Sequence, residues 1–207
     1  MDEPQITQAT DEETFSRVLF EATRALEDAD LEYVCIGGIP SIAYGRPHAT
    51  KDIDFLVRPH QAERALEALE QAGFETHIQD PRWLCKASRD GVLVDVIFRV
   101  KREIYLDDEM VERSRIVEYT GAKVRVCSPE DGLVIEALSH DDGRPAHWYN
   151  ALAILANREP DWEYLRRRAR HGARRVLSLL IYAHSNDLMV PEEAIRGLYE
   201  DVYGKEG

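Results

Sequence analysis

Apolar residues recur with two different periods along this chain, and the change of period divides it. Phe15, Val18, Leu19, Ala22 and Leu26 lie three and four apart, which predicts an amphipathic helix over residues 11–29. Tyr33-Val34-Cys35-Ile36 is a short apolar run that predicts a buried strand. Gly37-Gly38 breaks it, and Ile39 to Tyr44 predicts a short helix. Asp52 to Val57 reads as a second strand, and His60 to Ala72 as a helix ended by Gly73. Further strands are predicted at Phe74–His77, Trp83–Ala87 and Val92–Phe98, then a helix at Asp107–Arg115 and strand material at Lys123–Cys127. Alternating helices and strands predict an α/β (α+β) fold with a mixed sheet. Ser128-Pro129-Glu130-Asp131 is a helix start: a capping Ser, Pro at the first helical position and acids in the first turn. Beyond it the period is helical throughout. We therefore expect two domains, 1–127 and a helical 128–207.

Two of the predicted strands carry carboxylates where apolar residues would be expected. Strand side chains alternate, so Asp52 and Asp54 project on one face. Two acids side by side on an apolar strand repel each other and are costly to desolvate, so the pair asks for a cation. Mg²⁺ suits it, since that ion is commonly shared between carboxylates and substrate phosphates. Asp95, alone at the centre of Val92 to Phe98, is best explained as a neighbour of the pair. The Gly37-Gly38 turn adds unpaired backbone N–H groups at a helix start, which favour phosphate. A Gly-Gly pair alone is usually a turn, and an Asp-x-Asp alone is usually a solvated strand end. Their combination with a later isolated acid is much more specific.

The segment Ile36-Gly37-Gly38 followed by Asp52-Ile53-Asp54-Phe55 resembles the signature of the polymerase-β-like nucleotidyltransferase superfamily, with the third family acid falling on Asp95. Tyr44-Gly45-Arg46-Pro47 and Ala49 to Asp54 resemble in particular its small prokaryotic branch, which includes nucleotidyltransferase toxins of abortive-infection and type IV toxin-antitoxin systems. The resemblance implies a nucleotidyltransferase-like sheet in a catalytic domain at 1–127. It also implies two Mg²⁺ ions held by Asp52, Asp54 and Asp95, and a nucleoside triphosphate, ATP or another, whose α-phosphorus is attacked by an acceptor hydroxyl. Asp95 would help deprotonate that hydroxyl. Gly37, Gly38 and Ser41 are the expected nucleotide contacts, with Lys51 and Arg46 as the nearest cations and Lys86 and Arg99 behind them. His48 stands where many relatives carry Arg or Lys. Arg144 can match the Arg of a motif that relatives carry, whereas Ala146, His147 and Asn150 do not match its Lys and acids. The acceptor stays open between RNA such as tRNA, a protein and a small molecule, and an antitoxin partner is a possibility. A catalytically silent module that binds a nucleotide or a partner is the alternative.

Composition bounds these readings. A net charge of −13 disfavours a protein that coats nucleic acid, though Arg166, Arg167, Arg168, Arg170, His171, Arg174 and Arg175 form a local basic cluster. That cluster reads either as a solvated helix face or as a grip on phosphates. No apolar run approaches the roughly 20 residues that cross a bilayer, and the acidic start is unlike a signal peptide, so a cytoplasmic location is expected. Cys35, Cys85 and Cys127 are expected to be buried thiols. His140-Asp141 with His147 matches part of a metal phosphohydrolase site, but no partners for it appear on other helices.

Overall fold

The computed structural model describes residues 11–204 except His48, Asp142 and Arg144; everything below concerns those residues. The chain opens with α1 (Glu12–Asp28), capped by Asp11, whose carboxylate accepts from the Thr14 N–H at 2.7 Å. Its predicted apolar stripe is buried. Then come β1 (Tyr33–Ile36), α2 (Gly38–Ala43), β2 (Asp52–Val57) and α3 (Ala62–Gln71). A meander follows: β3 (Glu75–Asp80), β4 (Leu84–Arg89) and β5 (Val92–Ile97). After α4 (Asp108–Arg113), the hairpin β6 (Arg115–Tyr119) and β7 (Ala122–Val126) completes the strands. The rest is helical: α5 (Pro129–Ser139), α6 (Ala146–Asn157), α7 (Trp162–Arg168), α8 (Ala173–Ser185) and α9 (Glu192–Tyr203).

The seven strands form one mixed sheet in the order β3-β4-β5-β2-β1-β7-β6. β2 pairs antiparallel with β1 and parallel with β5. The tight turns have the chemistry the backbone demands: Asp90-Gly91 and Thr120-Gly121 both hold positive φ at each residue, as two-residue hairpins that match strand twist require. Strand β6 was not expected from the sequence. It lies at the sheet edge with Arg115, Ile116 and Glu118 exposed, so it lacks the buried apolar run that marks the others. The helix read at Asp107–Arg115 is correspondingly shorter.

Helices α1 and α3 pack on one face of the sheet, over side chains such as Ile53 and Val94, and the alternate side chains face the other way. The opposite face meets α5. Ser128 caps that helix by accepting from the Asp131 N–H, with Pro129 at its first position, as expected. All of Pro129–Leu138 is buried, because α5 is surrounded by α2, α6, α7 and α8.

The basic segment departs from a single helix. α7 ends at Arg168, a short 3-10 turn covers Ala169–His171, and α8 starts after Gly172. A Cβ on Gly172 would fall on the Leu138 side chain of α5, so glycine lets the two approach without displacing that leucine. Three of its arginines turn to separate partners. Arg166 pairs with Asp201, Arg167 with Glu109, and Arg168 is buried between Asp107 and Asp131, with Nε 2.7 Å from Asp131 Oδ1. Tyr164 OH also donates to Asp131 at 2.8 Å. Burial pushes the Asp131 carboxyl up, and Arg168, Tyr164 and Ser128 pull it back.

Candidate active site

A row of residues crosses four strands at one level: Ile36 on β1, Asp54 on β2, Asp95 on β5 and Lys86 on β4. Register thus brings the third acid beside the first two, although 41 positions separate Asp95 from Asp54 in the sequence. Gly37 follows β1 at the same end of β2, with φ +71, and a Cβ there would stand 2.5 Å from Asp54 Oδ2. Both the backbone angle and the space demand glycine at this position.

These groups line a cleft of about 690 Å³ between the sheet and α5. Gly37, Asp52, Asp54 and Asp95 form its floor, and Ile135, Glu136, Ser139 and His147 form the opposite wall. Desolvation, then Asp52, Asp95 and Glu136, push the Asp54 carboxyl well above its ordinary range, and Lys86 opposes the push. Such a carboxylate is held in a field that a divalent cation would relieve. The other two acids have protein partners: Asp52 accepts from Thr50 Oγ1 at 2.9 Å, and Asp95 pairs with Lys86 Nζ at 2.7 Å. Accordingly no three acid, His or Cys side chains among the described residues form a ready-made metal cage. The oxygen-only donors, the repulsion around Asp54 and the open cleft fit Mg²⁺ shared with a phosphate ligand, since that ion seldom takes an all-protein cage.

Several expected contacts lie elsewhere. Ser41 is buried, its Oγ donating to the Gly37 carbonyl at 2.7 Å, so it braces the turn and does not line the cleft. Arg46 and Lys51 are also absent from the cleft lining, where the cations are Arg99, Lys101 and Arg102. His48 and Arg144 fall outside the described residues. His140 packs against the Trp148 ring at 4.8 Å, which uses it structurally. The three cysteines are free and buried, as expected.

Glu136 is the residue that sequence reasoning missed. It is 1% exposed, and its carboxylate accepts from His147 Nδ1 at 2.6 Å and Asn150 Nδ2 at 3.0 Å, with Ser41 Oγ at 3.4 Å. His147 thus meets Glu136 through Nδ1 while it lines the cleft. The signal was present, because Glu136 is one acid inside the apolar Leu133 to Leu138 run, as Asp95 is in β5.

Acids in register on neighbouring strands, a glycine turn against one of them and a helical wall opposite are the arrangement of a nucleotidyltransferase. The chain belongs to the family described as uncharacterised nucleotidyltransferases, whose model matches residues 5–189. A comparison with curated proteins gives no significant match. Among solved structures, the antibiotic-resistance factor ANT(2'')-Ia is similar at 18% identity over 85% of this chain and 94% of that one, with a TM-score of 0.54. An antigenic nucleotidyltransferase-like protein from Paracoccidioides brasiliensis is similar at 15% identity, over 94% of this chain and 97% of that one, with a TM-score of 0.52. At these identities the likeness is one of fold. The protein is a nucleotidyltransferase that transfers a nucleoside monophosphate, and no helix among the described residues is long and apolar enough to cross a membrane.

Proposed function

We propose that the reaction is Mg²⁺-dependent and that its acceptor is the hydroxyl of a small molecule. The observation that carries this is the level row of Asp54 and Asp95, with Asp52 beside them and Gly37 against Asp54, on the floor of one cleft. Asp52, Asp54 and Asp95 would hold two Mg²⁺ ions, which would supply neutralisation of the phosphoryl charge that develops in the displacement. The Gly37-Gly38 turn receives the triphosphate, and its lack of side chains lets the phosphates come close to Asp54. Asp95, tethered by Lys86, takes the acceptor side, where it orients the hydroxyl and accepts its proton. The α/β part, 1–127, acts as the catalytic domain, and the helical part, 128–207, supplies the opposite wall through Glu136 and His147.

The size of the cleft and the fate of the arginines favour a small acceptor. Arg166, Arg167 and Arg168 are spent on Asp201, Glu109, Asp107 and Asp131, which leaves only Arg170, Arg174 and Arg175 of the cluster's arginines for an RNA grip. ANT(2'')-Ia is described as an antibiotic-resistance factor, which accords with drug-sized acceptors in this fold. The test is incubation with each of four α-labelled triphosphates, Mg²⁺ and, separately, small polyols, total tRNA and cell lysate. Label should enter the small-molecule fraction with wild-type protein and not with Asp54→Asn. Label in the tRNA alone would overturn the acceptor class, and full transfer by Asp54→Asn would overturn the site.

A further inference from the structure

The cleft has a basic end that the acids do not account for. Along β5 the residues on the cleft face are Asp95, Ile97 and then, just past the strand, Arg99. The chain next makes a tight turn closed by the Val100 N–H donating to the Ile104 carbonyl at 2.9 Å, and this turn presents Lys101 and Arg102. Arg102 and Glu103 both hold left-handed backbone at φ 59, an uncommon and costly conformation for residues other than glycine. Strain of this kind persists where the surroundings hold it, and Lys101 ties the turn to the end of α5 through the Ser139 carbonyl at 3.3 Å and Asp141 at 3.4 Å. Among the described residues the guanidinium groups of Arg99 and Arg102 make no ion pair, so both are open to a ligand in the cleft they line. Trp83, 38% exposed, lines the cleft next to them through a hydrogen bond from the Phe98 N–H to its carbonyl.

Position decides what these cations meet. The glycine turn follows β1, the acids occupy β2 and β5, and the basic turn lies further along β5, four residues beyond Asp95 or about 13 Å of strand. An in-line displacement sets the leaving pyrophosphate and the attacking hydroxyl on opposite sides of the α-phosphorus. With the triphosphate at Gly37-Gly38, the hydroxyl comes from the Asp95 side, and the body of the acceptor extends towards Arg99 and Arg102. Two guanidinium forks and one ammonium are the recognition chemistry of a dianionic phosphate, and the Trp83 ring offers a flat apolar face beside them.

We propose that the Arg99–Arg102 turn is the acceptor subsite and that the acceptor is a small polyhydroxyl compound bearing a phosphate group, such as a phosphorylated sugar. This rests on the nucleotide placement proposed above.

The experiment is calorimetric titration of the full chain with inorganic phosphate, with and without the Mg²⁺ complex of an α,β-methylene triphosphate already bound. Phosphate should bind in both cases. The Arg99→Gln/Lys101→Gln/Arg102→Gln variant should weaken it at least tenfold while leaving the affinity for the triphosphate analogue within twofold. The single variants Arg99→Gln and Arg102→Gln, at partly and fully exposed positions, should each show part of the loss in a folded protein. In transfer assays, sugar phosphates should accept label and the same sugars without phosphate, or with amines, should not. Absence of phosphate binding, or binding unchanged in the triple variant, overturns the proposal. Competition between phosphate and the analogue overturns it too, by giving the turn to the triphosphate tail. Label that enters only tRNA and depends on the same three residues overturns the small-molecule class. Failure of the wild-type protein to bind the analogue with Mg²⁺ would instead sink the nucleotide site, and the phosphate titration without nucleotide reads the turn independently of it.

Discussion

Asp54 is placed where its charge is least welcome, and this has a measurable cost. Burial and the neighbouring Asp52, Asp95 and Glu136 raise its folded carboxyl well above the usual range, near 4 in the unfolded chain. A raised carboxyl contributes stability that is present below the unfolded value and is lost as pH climbs through the folded one. Without metal, Asp54→Asn should therefore melt higher than wild type at neutral pH, with the gap closing towards about pH 4. Thermal melts in chelator across that range would show it, and equal melting temperatures at neutral pH would mean that Asp54 is not strained. The same variant should lose transfer. Gly37 makes the complementary case: Gly37→Ala needs a left-handed Ala and sets its Cβ against Asp54, so it should cost about 1–3 kcal/mol in denaturant unfolding and weaken triphosphate binding. At this scale the acid pair and glycine turn were legible because they interrupt apolar runs. Ser41 was assigned outward and is turned inward by the Gly37 carbonyl, which one residue's identity cannot reveal.

The helical half shows how an element can hide its purpose in a charge run. The seven basic residues at 166–175 looked like one face of one helix, yet Gly172 lets α8 begin close against Leu138 and splits the run between two helices. Arg168 then becomes the buried partner of Asp131 and Asp107 and fastens α7 to α5 and to the start of α4. Arg168→Ala should cost about 3–5 kcal/mol, because the buried Asp131 carboxylate loses its charged partner. Arg167→Ala, at a half-exposed pair with Glu109, should cost much less, since a screened surface pair contributes little. Urea unfolding of the two variants checks the contrast, and similar losses would refute the inward role of Arg168. Edge strand β6 was missed for the converse reason, since its exposed face gives no apolar pattern to read.

For the molecule as a whole, the sheet and α5 form a cleft whose floor repels itself until a cation and phosphates arrive. Mg²⁺ with a triphosphate at a hundred times its dissociation constant should stabilise the wild-type chain by about 2.7 kcal/mol against chelator. Asp54→Asn should show little of this, and a shift of the same size in that variant would place the nucleotide elsewhere. The alternation of helix and strand, the capped start of α5, the two acids on one face of β2 and their demand for a cation follow from the order of residues alone. Those features are local, since periodicity, caps and glycine breaks act within a few positions. What only the tertiary structure decided is which distant groups share the cleft: Asp95 by strand register, Glu136 and His147 by the packing of α5 and α6, and Arg99 to Arg102 by the end of β5. Lys51 adjoins Asp52 in the chain and misses the cleft, whereas Arg102 is fifty positions away and lines it. Contact across a sheet is set by pairing and by the burial of apolar faces, neither of which is written in the spacing of the residues that end up as neighbours.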